Sequence, residues 1–356
     1  MDQALLLLGR ALREAGYSFV TPTPETLRRV NARPGNAVAR DLRGVFGWSR
    51  PFGEGVLPPA MLALLERAGA LEQVDAAAEG TSRMSATEED RGTAASEEGS
   101  GTVASEEDHR TAASEEGSRK AATRPAPGGA TARFRSAVRF SSLEGQLFVH
   151  SAWPTTAADA VFFGPDTVRY AALLLRSVQR AGRVADVGCG SGAGGILLAP
   201  RAQKVILSDV NPLALRYARV NAALAQVEDR IEIVESDVLR AVEDPLDLVV
   251  SNPPYLADDR GRVYRDGGGP RGIDLSVRLA REALARLSPG GRLLLYTASP
   301  IENGVDPLLA ALKPLLAGSA FSYVELDPDV FGEELERSAY SAADRIAVVA
   351  LDAVAR

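Results

Sequence analysis

Asp186-Val-Gly188-Cys-Gly190-Ser-Gly192-Ala193 is the stretch on which the reading of this chain turns. A strand pattern, 184–187, runs directly into it, and a helical pattern, 193–199, runs directly out. Glycine at alternate positions permits a tight turn and lets the backbone approach a ligand closely. Outward from the loop the two kinds of pattern alternate. Strand at 205–207, helix at 213–224, strands at 231–234 and 246–250, helix at 273–287, strand at 292–296 and helix at 307–316 follow it, and strands at 321–326 and 346–351 come last. Upstream lie strand-like runs at 137–140 and 147–150 and a helix at 166–179. Such alternation predicts an α/β fold with a mostly parallel sheet covered on both faces. Ligands of such sheets sit beyond the carboxyl ends of the strands, where the motifs of this sequence fall.

The loop admits two ligands. Gly188, Gly190 and Ala193, with Asp209 about 20 residues on, fit the dinucleotide fingerprint. The same residues resemble the Asp-x-Gly-x-Gly-x-Gly loop of the class I S-adenosylmethionine-dependent methyltransferases. That resemblance implies a Rossmann-like sheet of seven strands whose last hairpin is antiparallel, and S-adenosyl-L-methionine as cofactor. The leading acid of the loop, here Asp186, would lie near the amino-acid end of the cofactor, where a carboxylate suits an ammonium and would not suit a pyrophosphate. Asp186 and the third glycine, Gly192, therefore favour the methyl donor. Asp209 ends the second strand and is expected to accept hydrogen bonds from ribose hydroxyls, and Asn211 is the better candidate to cap the next helix. Asp237 and Val238, after the third strand, resemble the residues that meet the adenine. Cys189 reads as a small loop residue.

Leu248-Val-Val-Ser-Asn252-Pro253-Pro254-Tyr255 is the most specific motif. The prolines fix φ and remove two backbone donors, leaving their carbonyls as acceptors. Asn252 adds a side-chain acceptor. Two acceptors can take both hydrogens of a planar NH₂ group, and Tyr255 offers a face for the attached π-system. Asn252, Pro253, Pro254 and Tyr255 are thus the expected catalytic set, with Asn252 also at the cofactor, and the expected reaction is N-methylation. No histidine base and no metal are needed.

This motif is shared by adenine-amine methyltransferases of DNA and RNA and by the methyltransferases that modify the glutamine amide of peptide release factors. The second family also carries a small helical N-terminal domain, a layout this chain is similar to. The resemblance implies a protein substrate, with a nucleic-acid amine as the alternative. It covers 134–356 well, and 1–74 only in size and helicity. One departure concerns the Arg-Pro-x-Thr-Glu stretch of the release-factor enzymes. Here that place reads Phe162-Phe163-Gly164-Pro165-Asp166-Thr167, which is either a cofactor or substrate lip or a helix cap by Asp166 or Thr167. Tyr264–Gly272 resembles a glycine-rich segment of the same enzymes and is expected to be a mobile loop with Arg265 or Arg271 at the acceptor. A nicotinamide dehydrogenase would leave Asn-Pro-Pro-Tyr idle, and a non-catalytic binding module would have no use for it.

The rest of the sequence narrows the alternatives. The chain has 356 residues, enough for two domains. One cysteine excludes an intramolecular disulfide framework, and two histidines, His109 and His150, exclude multi-histidine metal centres. No apolar run approaches a membrane span, and the expectation is a cytoplasmic monomer without membrane contact. Residues 1–74 read as a small helical domain: Asp2 can cap a helix bearing Leu5, Leu8 and Leu12, Thr23 or Thr26 a second, and Pro58-Pro59 precedes a third. Residues 75–133 contain four nine-residue repeats, from Ser85, Ala94, Val103 and Ala112, rich in Ala, Ser, Thr, Glu and Gly. Such a composition buries too little apolar surface to fold and predicts a disordered acidic linker. As a coil its ends would lie roughly 40–45 Å apart. Residues 85–120 carry ten acids and four bases, so −6 of the net charge of −7 resides there. The remainder is nearly neutral, and charge argues only weakly against a nucleic-acid substrate.

Overall fold

A computed structural model describes residues 2–74, 134–243 and 245–356. The repeats and the linker reading lie outside the described residues. Those on either side of the repeats form one compact unit.

The N-terminal part holds helices α1 (Gln3–Glu14), α2 (Pro24–Asn31), α3 (Leu42–Phe46) and α4 (Pro59–Arg67). Asp2 caps α1, its carboxylate accepting from Leu5 N–H at 3.1 Å, and Thr23 caps α2 in the same way. The stripe Leu5, Leu8 and Leu12 is fully buried. Seventy residues can bury little core alone, and this segment does not. Its leucines share one apolar cluster with Phe140, Val149, Tyr217, Val220 and Leu224 of the later sequence. Gly9 allows the approach, since a Cβ there would stand 2.8 Å from Leu224 Cδ1. Polar contacts lock the join: Arg13 donates to the Leu224 carbonyl at 2.9 Å, Tyr17 to the Phe140 carbonyl at 2.9 Å, and Arg216 Nε to Asp2 at 2.8 Å.

Strand β1 (Leu71–Gln73) pairs antiparallel with β2 (Phe134–Ser136), with Gln73 opposite Phe134. Ladder partners stand about 5 Å apart. Gln73 and Phe134, which flank residues 75–133, are therefore neighbours, not the 40–45 Å apart expected of an unconstrained coil. A hairpin of β3 (Val138–Leu143) and β4 (Gln146–Ser151) follows, turning at Glu144-Gly145, both with positive φ. Asn221 satisfies its edge, accepting from Val149 N–H at 2.7 Å and donating to the Val149 carbonyl at 3.0 Å.

The main sheet comprises β5 (Ala181–Val187), β6 (Ala202–Asp209), β7 (Ile231–Glu235), β8 (Leu246–Ser251), β9 (Leu287–Ile301), β10 (Ala320–Asp327) and β11 (Arg345–Val354). Their spatial order is β10-β11-β9-β8-β5-β6-β7, parallel from β9 to β7 and antiparallel at β11 and β10. This is the expected Rossmann-like class I methyltransferase sheet. Its central strands read as apolar runs because both faces are buried. Leu207, Val250 and Leu294 meet one core with α5 (Pro165–Ser177), α6 (Ala193–Leu198) and α7 (Pro212–Ala225). Ile206, Val249 and Leu293 meet the other with α8 (Asp274–Arg286) and α9 (Pro307–Leu312). The chain order reverses at β5, which lies between β6 and β8, so a crevice opens at their carboxyl ends.

Candidate functional site

Register alone assembles the site. Val187 on β5 is level with Ser208 on β6 and with Ser251 on β8. The residues that come next, Gly188, Asp209 and Asn252, therefore emerge side by side from three adjacent strands. Ser251 donates to the Val187 carbonyl at 2.6 Å and ties the two loops together.

Gly188, Gly190 and Gly192 all have positive φ, a conformation that costs other residues strain. They differ in surroundings. A Cβ on Gly188 would meet nothing within 4 Å and one on Gly190 only Val161 at 4.0 Å, so these two line an open cradle. A Cβ on Gly192 would stand 3.0 Å from Ile196 and Leu207, so this glycine serves the packing of α6 on the sheet.

Asp209 accepts Gly190 N–H on Oδ2 and Asn211 N–H on Oδ1, both at 2.9 Å. Burial raises its pKa, and these two N–H groups oppose the rise. Each carboxylate oxygen has capacity for a second donor, which a pair of ribose hydroxyls can use. Val210, directly after it, is a half-exposed apolar side chain beside the cradle, a surface that the sequence reading passed over. Asn211 caps α7, accepting from Leu213 N–H at 2.9 Å, and its amide donates to the Asp159 carbonyl at 2.7 Å.

Asp186 is sealed beneath the glycine loop. It is 1% exposed, and its oxygens accept from Tyr170 Oη at 2.9 Å and Gly195 N–H at 2.7 Å. Burial pushes its carboxyl up to about 7, with the charge of Asp209 adding to the rise against both hydrogen bonds. In this arrangement Asp186 braces the loop from beneath. Asp237 has a side chain 49% exposed and paired with Arg278 at 2.6 Å, which lowers its pKa. Val238 is buried, has positive φ, and its carbonyl accepts from Ser208 Oγ at 3.0 Å.

Asn252 is half-buried. Its Oδ1 is shielded from solvent and has no hydrogen-bond partner among the described residues. A buried amide oxygen without a donor costs free energy, and this one belongs to the motif expected to bind NH₂. Pro253 is buried, Pro254 is half-buried and Tyr255 is 8% exposed. The Tyr255 ring lies 6.2 Å from that of Phe331, and its hydroxyl faces Asp166. Tyr255 is thus wedged into the core rather than presented as an open stacking face.

The segment Phe162–Thr167 resolves into three roles. Thr167 accepts from Gly164 N–H at 3.3 Å and closes the first turn of α5. Asp166 points inward, accepting from Tyr296 Oη at 3.0 Å. Phe162 stacks on Tyr264 with ring centres 5.7 Å apart. Tyr264 donates to the Thr155 carbonyl at 2.9 Å, and Val263 N–H donates to the Ala158 carbonyl at 3.0 Å. Residues 155–163 and 256–272 thereby make one roof beside the crevice. The glycine-rich stretch expected to be mobile is bonded to the motif, Gly267 N–H donating to the Leu256 carbonyl at 2.8 Å and Leu256 N–H to the Arg265 carbonyl at 3.1 Å. A Cβ on Gly272 would stand 2.7 Å from the Tyr255 carbonyl oxygen, so the close approach requires glycine. Arg265 pairs with Glu334 and Asp258, and Arg271 with Glu302 at 2.7 Å, so both proposed acceptor contacts are already committed.

The remaining candidates are structural. Cys189 is packed against the core, its thiol pKa raised by burial. His150 is buried against Ser141 Oγ (2.8 Å), the Ser151 carbonyl (3.0 Å) and the ring of Phe163, and burial next to Arg139 keeps it neutral. Among the described residues no group of acids, histidines and cysteine could hold a metal, and no helix is long and apolar enough to cross a membrane.

Sheet order, glycine loop and motif define a class I methyltransferase domain. Residues 156–305 match the family described as Methyltransferase small domain. The chain is similar to the release factor glutamine methyltransferase of Deinococcus radiodurans, 35% identical over 194 residues that cover 51% of this chain and 66% of that protein. It is also similar to that of Koribacter versatilis, 36% identical over 163 residues, 41% of this chain and 57% of the relative. The chain spans between half and two thirds of the length of the curated relatives it matches. Trm5b from Pyrococcus abyssi shares 19% identity at a TM-score of 0.45, over 62% of this chain and 56% of its own, too distant to bear on site or substrate.

Proposed function

We propose that this protein transfers a methyl group from S-adenosyl-L-methionine to the nitrogen of a planar NH₂ group, and that the acceptor is a glutamine side-chain amide of a protein such as a release factor. The observation that carries this reading is the buried, unpartnered Oδ1 of Asn252 at the mouth of β8. The residues present fit the cofactor: Gly188 and Gly190 leave room for it, and Asp209 retains hydrogen-bonding capacity. When bound, the cofactor supplies an electrophilic methyl carbon whose leaving group is already cationic, so no acid is required.

The chain's part is placement and electrostatics. Asn252 Oδ1 and the Pro253 carbonyl accept the two N–H bonds of the acceptor. They orient its nitrogen toward the crevice, where the methyl carbon must lie about 3–3.5 Å away. An amide lone pair is delocalised and weakly nucleophilic. Acceptors on both N–H bonds favour the positive charge that grows on nitrogen in the transition state, at no cost of reorganisation, and the methylated nitrogen, made strongly acidic by that charge, then releases one proton to water. The relatives named as glutamine methyltransferases support the amide over other NH₂ groups.

A nucleic-acid amine is the second reading, favoured by one surface feature. Arg33, Arg40 and Arg43 are exposed on the N-terminal segment, and exposed arginines suit phosphate. Labelled methyl transfer into cell lysate, followed by protease or nuclease digestion, tests both. Release of label by protease alone is expected; release by nuclease alone replaces the first reading with the second.

A further inference from the structure

Asp166 lies at a junction that the reaction as described does not use. It sits in the first turn of α5, 6% exposed, in the segment that departs from the release-factor pattern. Groups from β9, from the motif and from its own helix reach it. Tyr296 from the middle of β9 donates to its Oδ1 at 3.0 Å, and the hydroxyl of Tyr255, the last residue of the motif, faces the same carboxylate. Arg169, one turn along α5, stands 3.6 Å from Oδ1 and pairs at 2.9 Å with Asp327 at the end of β10. Thr167 closes the helix turn, so Asp166 is free of capping duty.

We infer that Asp166 is a positioning residue that sets the Asn-Pro-Pro-Tyr turn through its hold on Tyr255 and Tyr296. This deepens the proposed N-methyl transfer and rests on it. Pro253 and Pro254 make the backbone between Asn252 and Tyr255 stiff, so a shift of the Tyr255 ring is passed to Asn252 and to the Pro253 carbonyl rather than absorbed. Without the carboxylate the Tyr296 hydroxyl loses its acceptor and the Tyr255 hydroxyl loses the charge it faces, so the seat of the tyrosine that ends the motif changes. Asp166 touches neither acceptor nor methyl donor in this scheme. Its effect is confined to the geometry of the two groups that hold the NH₂.

The test compares Asp166→Ala and Asp166→Asn with the parent and with Tyr255→Phe, on a glutamine-containing peptide. Asp166→Ala is expected to lower kcat by about 100-fold, the scale of a 1 Å misplacement, with the calorimetric affinity for S-adenosylmethionine unchanged. Asp166→Asn, which keeps an acceptor oxygen and guards against failure to fold, is expected to recover most of the rate. Combining Asp166→Ala with Tyr255→Phe should cost no more than the larger single effect; multiplying losses would overturn the proposal, as would a parental kcat in Asp166→Ala. A second readout is independent of turnover. With 3-fluorotyrosine incorporated, the ¹⁹F resonance of Tyr255, assigned by its loss in Tyr255→Phe, should move in Asp166→Asn. A parent that methylates no amide while this resonance moves refutes the amide reading and upholds the junction; an unmoved resonance refutes the junction.

Discussion

The backbone N–H of Gly190 donates to Asp209 Oδ2 at 2.9 Å, joining the glycine loop after β5 to the end of β6. The carboxylate thus shapes the loop. Asp209→Ala is expected to weaken S-adenosylmethionine binding about 10- to 100-fold, the loss of one hydrogen bond to a charged group at roughly 1.5–3 kcal/mol. Asp209→Asn should fall between parent and alanine. Calorimetry with cofactor and no acceptor measures this, and equal affinities would sink the ribose assignment.

Asn252→Ala removes the amide oxygen that stands buried and unpartnered. Loss of a preorganised group at a reacting centre costs about 100- to 1,000-fold in rate. That loss is expected in kcat while cofactor binding persists. Unchanged single-turnover methyl transfer would remove the central claim.

Asp186 carries a pH signature. Burial lifts its carboxyl from an ordinary 3.8 to about 7 in the folded protein. Between those values the folded state holds a proton that the unfolded chain has released. The contribution to stability is therefore full below about pH 4 and lost as pH rises through 7. Asp186→Asn cannot titrate. Denaturant unfolding between pH 5 and 8 should show the parent losing ground to this variant as pH rises; parallel curves would contradict the burial argument.

Gln73 stands opposite Phe134 in a ladder, so the residues that flank 75–133 are held together. On the linker reading, replacing these 59 residues with a four-residue turn reduces the closure entropy and stabilises the fold by about 2 kcal/mol. Equilibrium unfolding of the shortened chain checks the sign. A less stable chain, or one that no longer binds cofactor, would show that the segment does more than connect.

Local features of the sequence determined the sheet, the crevice and most of the candidate site. Both-face burial turns strands into apolar runs, alternate glycines mark the loop at 188–192, and Asn252-Pro-Pro-Tyr ends a β-rich run abruptly. Each is a pattern of near neighbours, which is why it is legible without coordinates. What only the tertiary structure decided depends on residues far apart in the chain. Asp186 and Asp209 are both acids that follow strand residues. One is sealed beneath the loop by Tyr170 and Gly195, and the other accepts Gly190 N–H from the loop. Helix propensity could not show that Leu5, Leu8 and Leu12 would complete their core against Leu224, or that Gln73 and Phe134 would pair. Nor could spacing show that Asp166, read as a cap or a lip, would turn inward to Tyr296. A side chain's role follows from which way it points, and that is settled by packing between distant segments.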